Sequence, residues 1–114
     1  MEPSNTVEEG KTIAIIAYIT LIGLIIAIVM NNDKKNDFAR YHIRQSLGIM
    51  LLYIAVWILF IIISMIVYIP LLSTIVYLGL LVLLILGILA AAQGEKKPIP
   101  VFGEQFQIWF KNIG

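Results

Sequence analysis

The chain has no cysteine, which excludes disulfides, thiolate metal sites and lipid attachment through sulfur. It has a single histidine, His42. A metal centre would need ligands converging on it from elsewhere, and Asp37, five positions earlier, is poorly phased on a helix to help. Residues 47–92 contain no Asp, Glu, Lys, Arg or His, and neither do residues 12–30. Ionisable groups inside a bilayer mark ion paths and proton relays, so their absence argues against a self-contained proton-coupled transporter. Glycine-rich phosphate loops and paired membrane carboxylates are also missing. His42 and Ser46 lie four apart, a helical-contact spacing, yet no acid is placed to orient the imidazole for nucleophilic catalysis. We therefore expect no enzyme activity, no cofactor and no metal. The basic residues are too sparse for a nucleic-acid face, and no nucleic-acid partner is expected.

What is present is apolar. Of 114 residues, 61% are hydrophobic and 13% charged, more apolar surface than a soluble domain of this size can hide. A hydrocarbon core about 30 Å thick takes roughly 20 helical residues to cross. Residues 47–92 hold two such lengths, divided at Pro70, which is ill suited to a helix interior and biases Ile69 toward extended geometry. An unbroken helix over this run would be about 69 Å long, so a helical hairpin is expected. Residues 12–30 read as one more crossing. They do not read as a cleaved signal peptide, because the segment before them is acidic and no small-residue cleavage site follows. The expected fold class is all-α and integral to the membrane. One domain spans residues 1–114, with transmembrane helices at about 12–30, 47–68 and 71–92. Residues 1–10, polar and punctuated by Pro3 and Gly10, read as frayed.

With three crossings, residues 31–45 share a side with the tail after residue 92. Seven of the eight Lys and Arg residues then fall together: Lys34, Lys35, Arg40, Arg44, Lys96, Lys97 and Lys111, with Lys11 alone opposite. Cytoplasmic loops carry an excess of Lys and Arg, which places the N-terminus outside and the C-terminus in the cytoplasm. Phe38, Tyr41 and Gln45 fall on one helical side, with Arg40 and Arg44 on a neighbouring stripe. This is a juxtamembrane basic helical segment leading into the second crossing. Lys34, Lys35, Arg40, His42 and Arg44 form a candidate docking site for a partner or for anionic lipid, at about 1 kcal/mol per basic residue near the surface.

Small residues mark candidate helix-packing positions: Gly23 and Ala27 on the first crossing, and Gly79, Gly87 and Ala91 on the third. Thr20 and Ser64 are the deep hydroxyls, each expected to bond a carbonyl of its own helix. After Pro98 and Pro100, residues 102–113 are amphipathic. Phe102, Phe106, Trp109 and Phe110 make the expected interfacial anchor of an in-plane helix; Ile108 breaks the pattern.

Two segments, FARYHIRQSLGI at residues 38–49 and ILAAAQGEKKPIPVFGEQF at residues 88–106, resemble a large bacterial family of small three-crossing membrane proteins of unknown function. That family is often labelled as similar to the twenty-kilodalton import component of the chloroplast inner envelope. The resemblance spans nearly the whole chain from Thr12 and places Phe38, Arg40, His42, Gln45 and Pro100 at recurring positions. It implies a multi-pass protein of a prokaryotic cytoplasmic membrane. The function expected is that of a non-enzymatic accessory or scaffold subunit, working through helix packing and a basic cytoplasmic face. Its partners would be the lipid bilayer, with anionic lipids, and a second copy or another membrane protein. The alternative is a homo-oligomeric pore or polypeptide-import-like component.

Overall fold

Pro70 divides the long uncharged run into two helices. The computed structural model describes residues 7–114. Along them run α1 (Val7–Ile16), α2 (Thr20–Lys34), α3 (Asp37–Ser64), α4 (Pro70–Ala92) and α5 (Gly103–Trp109), with no strand among the described residues. α3 and α4 are long and apolar enough to cross a membrane. Pro70 opens α4, where its missing N–H would have had no partner in any case. The hydroxyls of Ser73 and Thr74 donate to the Pro70 carbonyl at 3.0 and 2.8 Å, and that of Ser64 donates to Ile61 at 2.8 Å. Ser64 thus takes the bland role expected of it.

The juxtamembrane segment and the crossing it leads into form one helix. Asn36 caps α3, its side chain accepting from the Ala39 N–H at 2.9 Å, and the helix then runs 28 residues, about 42 Å. At its other end α4 closes around Gly94, which sits at φ 75°. The Glu95 N–H reaches back to the Ala90 carbonyl at 2.9 Å, a left-handed cap for which glycine is the usual residue.

The expected helix over residues 12–30 is not continuous, and this is the main correction to the three-crossing reading. It breaks between α1, of 10 residues, and α2, of 15, neither long enough to cross alone. Residues 17–19 tighten the last turn, and Thr20 takes a left-handed φ of 70°, a strained geometry for a β-branched side chain. Rather than bonding a carbonyl of its own helix, the Thr20 hydroxyl accepts from the Gly23 N–H at 3.4 Å. The chain then doubles back so sharply that a Cβ on Gly23 would collide with the Ile16 carbonyl. Gly23 serves this turn and not the contact of one crossing with another.

This hairpin brings the start of α1 and the last residues of the chain to the same end of the molecule. A Cβ on Gly94 would lie 2.9 Å from Val7 and one on Gly10 would collide with Asn36, while Gly114 packs against Arg40. The structure gives no support to the expected separation of the N- and C-terminal ends: Lys11 lies beside Gly94, at the end that holds the other seven basic residues. Val7 to Gly10 are helical; the rest of the segment read as frayed, residues 1–6, lies outside the described residues. The described chain measures 58 × 22 × 22 Å. Its buried residues are gathered at one end, around Tyr18, Phe38, Ile49, Ala91 and Phe106 and around Leu24, Ala27, Ala39 and Ile43. No residue from 51 to 79 is buried.

Candidate functional site

At the tip of the α1–α2 hairpin, Tyr18 is 1% exposed and meets the base of α3. Its hydroxyl lies 2.6 Å from Nδ1 of His42, and Nε2 of the same ring lies 2.8 Å from the Glu95 carbonyl. A carbonyl only accepts, so Nε2 carries the proton and Nδ1 accepts from Tyr18. One turn on, Gln45 donates from Nε2 to the Tyr18 oxygen at 2.9 Å and accepts at Oε1 from the Ile99 N–H at 2.8 Å. Ser46 donates to the Ala17 carbonyl, left open where the helix breaks. Every hydrogen bond in the series has a direction, and no buried side-chain polar atom among the described residues lacks a partner.

The arrangement joins three stretches distant in sequence: the hairpin tip, α3, and residues 95–99. It works as a latch. Both ring nitrogens of His42 are committed to Tyr18 and Glu95, so the ring is held neutral and is not a base for Ser46. Phe38 and Tyr41 close on the imidazole edge-on, with ring centroids 4.8 and 5.3 Å away. Gly87 admits the Tyr18 ring, since a Cβ there would lie 2.6 Å from it. A second clamp closes the base of the hairpin. The Asn36 N–H donates to Asn31 Oδ1 at 2.9 Å, and Asn31 Nδ2 donates to the Asn36 carbonyl at 3.2 Å.

The five expected docking residues do not form one surface. Lys34 and Lys35 are exposed and Arg40 is half-buried. His42 is wholly buried in the latch. Arg44 is spent on the chain terminus, with Nε donating to the Ile113 carbonyl at 3.0 Å and Nη2 to that of Lys111. Lys96 pairs with Asp37 at 2.6 Å. Lys97 stands at the rim of a crevice of about 370 Å³ lined by Leu86, Leu89, Ala90 and Gln93.

Of the candidate packing residues, Ala27 and Ala91 are buried, whereas Gly79 faces open space with nothing within 4 Å. The aromatic anchor divides. Phe106 is 4% exposed and fills the notch at Gly48, Phe102 and Phe110 pack partly against it, and Trp109 is 62% exposed beside the exposed Ile108. α5 ends at Trp109, short of the expected residue 113, and the residues beyond it are held by Arg44 through the Lys111 and Ile113 carbonyls. Sequence reasoning missed Tyr18, Asn31 and Asn36. The available signal was a tyrosine and a threonine two apart in the middle of a run of marginal length.

A family model matches residues 9–106, that of MamF_MmsF, the magnetosome magnetite crystal formation protein family. The chain belongs to the MamF_MmsF family. The match begins in α1 and ends at Phe106, so the hairpin, the latch and the aromatic that closes the core all lie within the MamF_MmsF span. The match gives no support to the expected likeness to the chloroplast import component. No curated protein and no solved structure matches the chain.

Proposed function

We propose that this MamF_MmsF protein is a non-enzymatic accessory protein of a bacterial membrane, of the magnetosome kind that the family's description names, acting through its packed helices and its basic end. α3 and α4 cross the bilayer. The α1–α2 hairpin enters from the basic side and returns to it, so both chain ends share the cytoplasmic face and the three-crossing topology is set aside. The observation that carries this reading is the gathering of all eight basic residues at the packed end, against a connection at the other end, residues 65–69, with no charged side chain.

The role is exercised within the membrane and at its cytoplasmic surface. At the far end the described side chains offer a mineral or metal ion the hydroxyls of Ser64, Tyr68, Ser73 and Thr74, a weak set of ligands. Lys34, Lys35, Arg40 and Lys97 attract anionic headgroups, and Lys97 sets its charge above an apolar crevice suited to the start of an acyl chain. The test is lipid recovery from native membranes. Protein purified in mild detergent is expected to retain anionic phospholipid, and the quadruple replacement of Lys34, Lys35, Arg40 and Lys97 by Gln to lose most of it. Equal retention would defeat the reading, and an acidic membrane protein recovered in place of lipid would replace it.

A second reading, a homo-oligomer packed through α4, is favoured by Gly79, whose bare backbone faces outward where helices approach most closely. Gly79→Leu is then expected to abolish dimers cross-linked in the membrane.

A further inference from the structure

We infer that the molecule is a one-leaflet wedge, which gathers where the membrane is convex on the side of its basic end. The inference rests on the two-crossing topology proposed above. α1, α2 and α5 all pack against the first half of α3 or the end of α4, through Tyr18 on His42, Ala17 on Ser46, Asn31 on Asn36 and Phe106 on Gly48. Residues 51–79 stand clear of them, with none buried. One end of the molecule thus packs five helices together and the other two.

The bilayer must reach the wide part. Residues 51–64 supply about 21 Å of helix, short of a hydrocarbon core about 30 Å thick. The remainder of the core has to be met at the level of the hairpin tip. The surface there is made for it: on α2, Ile22 is 70% and Val29 66% exposed, with Leu21, Ile25 and Ile26 beside them. No charged residue interrupts this face before the polar stretch from Asn31 to Asn36, which marks the headgroup level. Its occupants are therefore the acyl chains of the leaflet on the basic side. Apolar helices lying in one leaflet spread it relative to the other, and membrane binding of this kind is sensitive to curvature. The spread leaflet takes the outside of the bend, and the uncharged, two-helix end takes the inside.

The absence of cysteine makes the test direct. The Asn32→Cys protein, carrying one dye, is reconstituted into giant vesicles, and membrane tubes are pulled outward from them. An impermeant quencher separates molecules whose basic end faces out from those facing in. Outward-facing molecules are expected to be several-fold denser in the tube than in the vesicle, rising as the tube narrows, and inward-facing ones to be depleted. Equal densities in both orientations, or the opposite sign, would overturn the inference.

The double variant Ile22→Glu with Ile26→Glu lifts α2 out of the hydrocarbon and is expected to bring the tube density down to that of the vesicle. Full enrichment in that variant would also overturn the wedge. Should the variant fail to fold, the opposite behaviour of the two orientations in the unaltered face still decides. The same quencher applied to dyes at Glu8→Cys and Tyr68→Cys reports the topology separately. A failed topology therefore shows as both dyes answering from one side, and a failed wedge as a correct topology without curvature preference.

Discussion

Tyr18 carries two hydrogen bonds on one oxygen, donating to His42 and accepting from Gln45. Removing that oxygen leaves the buried imidazole acceptor of His42 unpaired, at a cost of about 1–3 kcal/mol, and leaves the Gln45 amide only its longer bond to the Lys97 carbonyl at 3.4 Å. Tyr18→Phe keeps the ring against Gly87 and deletes only the hydroxyl. It is expected to lower the thermal unfolding midpoint in detergent clearly, while helix content by circular dichroism is unchanged. The glycines give a matched pair. Gly23→Ala drives a methyl into the Ile16 carbonyl, a backbone atom with little room to yield, whereas Gly79→Ala meets nothing within 4 Å. Overpacking of the first kind costs about 1–3 kcal/mol, so the unfolding midpoint is expected to fall for Gly23→Ala and to stay put for Gly79→Ala. An equal response from both would refute the tight return of the hairpin. Sequence spacing treated both glycines as alike, since a small residue on an apolar helix looks the same whether its neighbour is a lipid or a carbonyl.

At the scale of elements, the long uncharged run and Pro70 foretold α3 and α4 as a pair, though α3 ends at Ser64 and not at the expected residue 68. The break at Ala17–Thr20 was not foreseeable in that way. No proline marks it and Gly23, which admits the return, falls three residues later; the turn stands because distant groups complete it, with Ser46 taking the Ala17 carbonyl and Gln45 and His42 receiving Tyr18. Tertiary partners decided where propensity was silent. α5 shows the same limit. Its aromatic face suggested a membrane anchor, yet Gly48 opens a notch in α3 that Phe106 fills. Arg44 then secures the segment beyond α5 by a two-pronged bond to Ile113 and Lys111. A lysine offers one point charge where the guanidinium offers a fork. Arg44→Ala and Arg44→Lys are therefore both expected to expose residues 110–114 to carboxypeptidase or amide exchange, with α3 and α4 exchange unaffected. Protection restored by Lys would mean that charge alone holds the tail.

For the whole molecule, charge partition put seven basic residues together, and the structure gathers all eight at one end. What it did not foresee is the break before α2, because counting crossings assumes that every apolar run of about 19 residues goes through. The structure brings Val7 beside Gly94 and Gly114 beside Arg40, so the side on which the chain begins is the observable that separates two crossings from three. With no native cysteine, single cysteines at Glu8, Asn32, Tyr68 and Asn112 report their positions without background. In cells treated with an impermeant maleimide, Tyr68→Cys is expected to label from outside, and the other three only after the membrane is opened. Ile22→Cys, on the exposed apolar side of α2, is expected to resist the reagent on both occasions. A third crossing would place Glu8→Cys with Tyr68→Cys on the outer surface. It would also carry residue 22 through the bilayer, which Ile22→Cys alone could not reveal, so labelling of the Glu8 position decides between the two topologies.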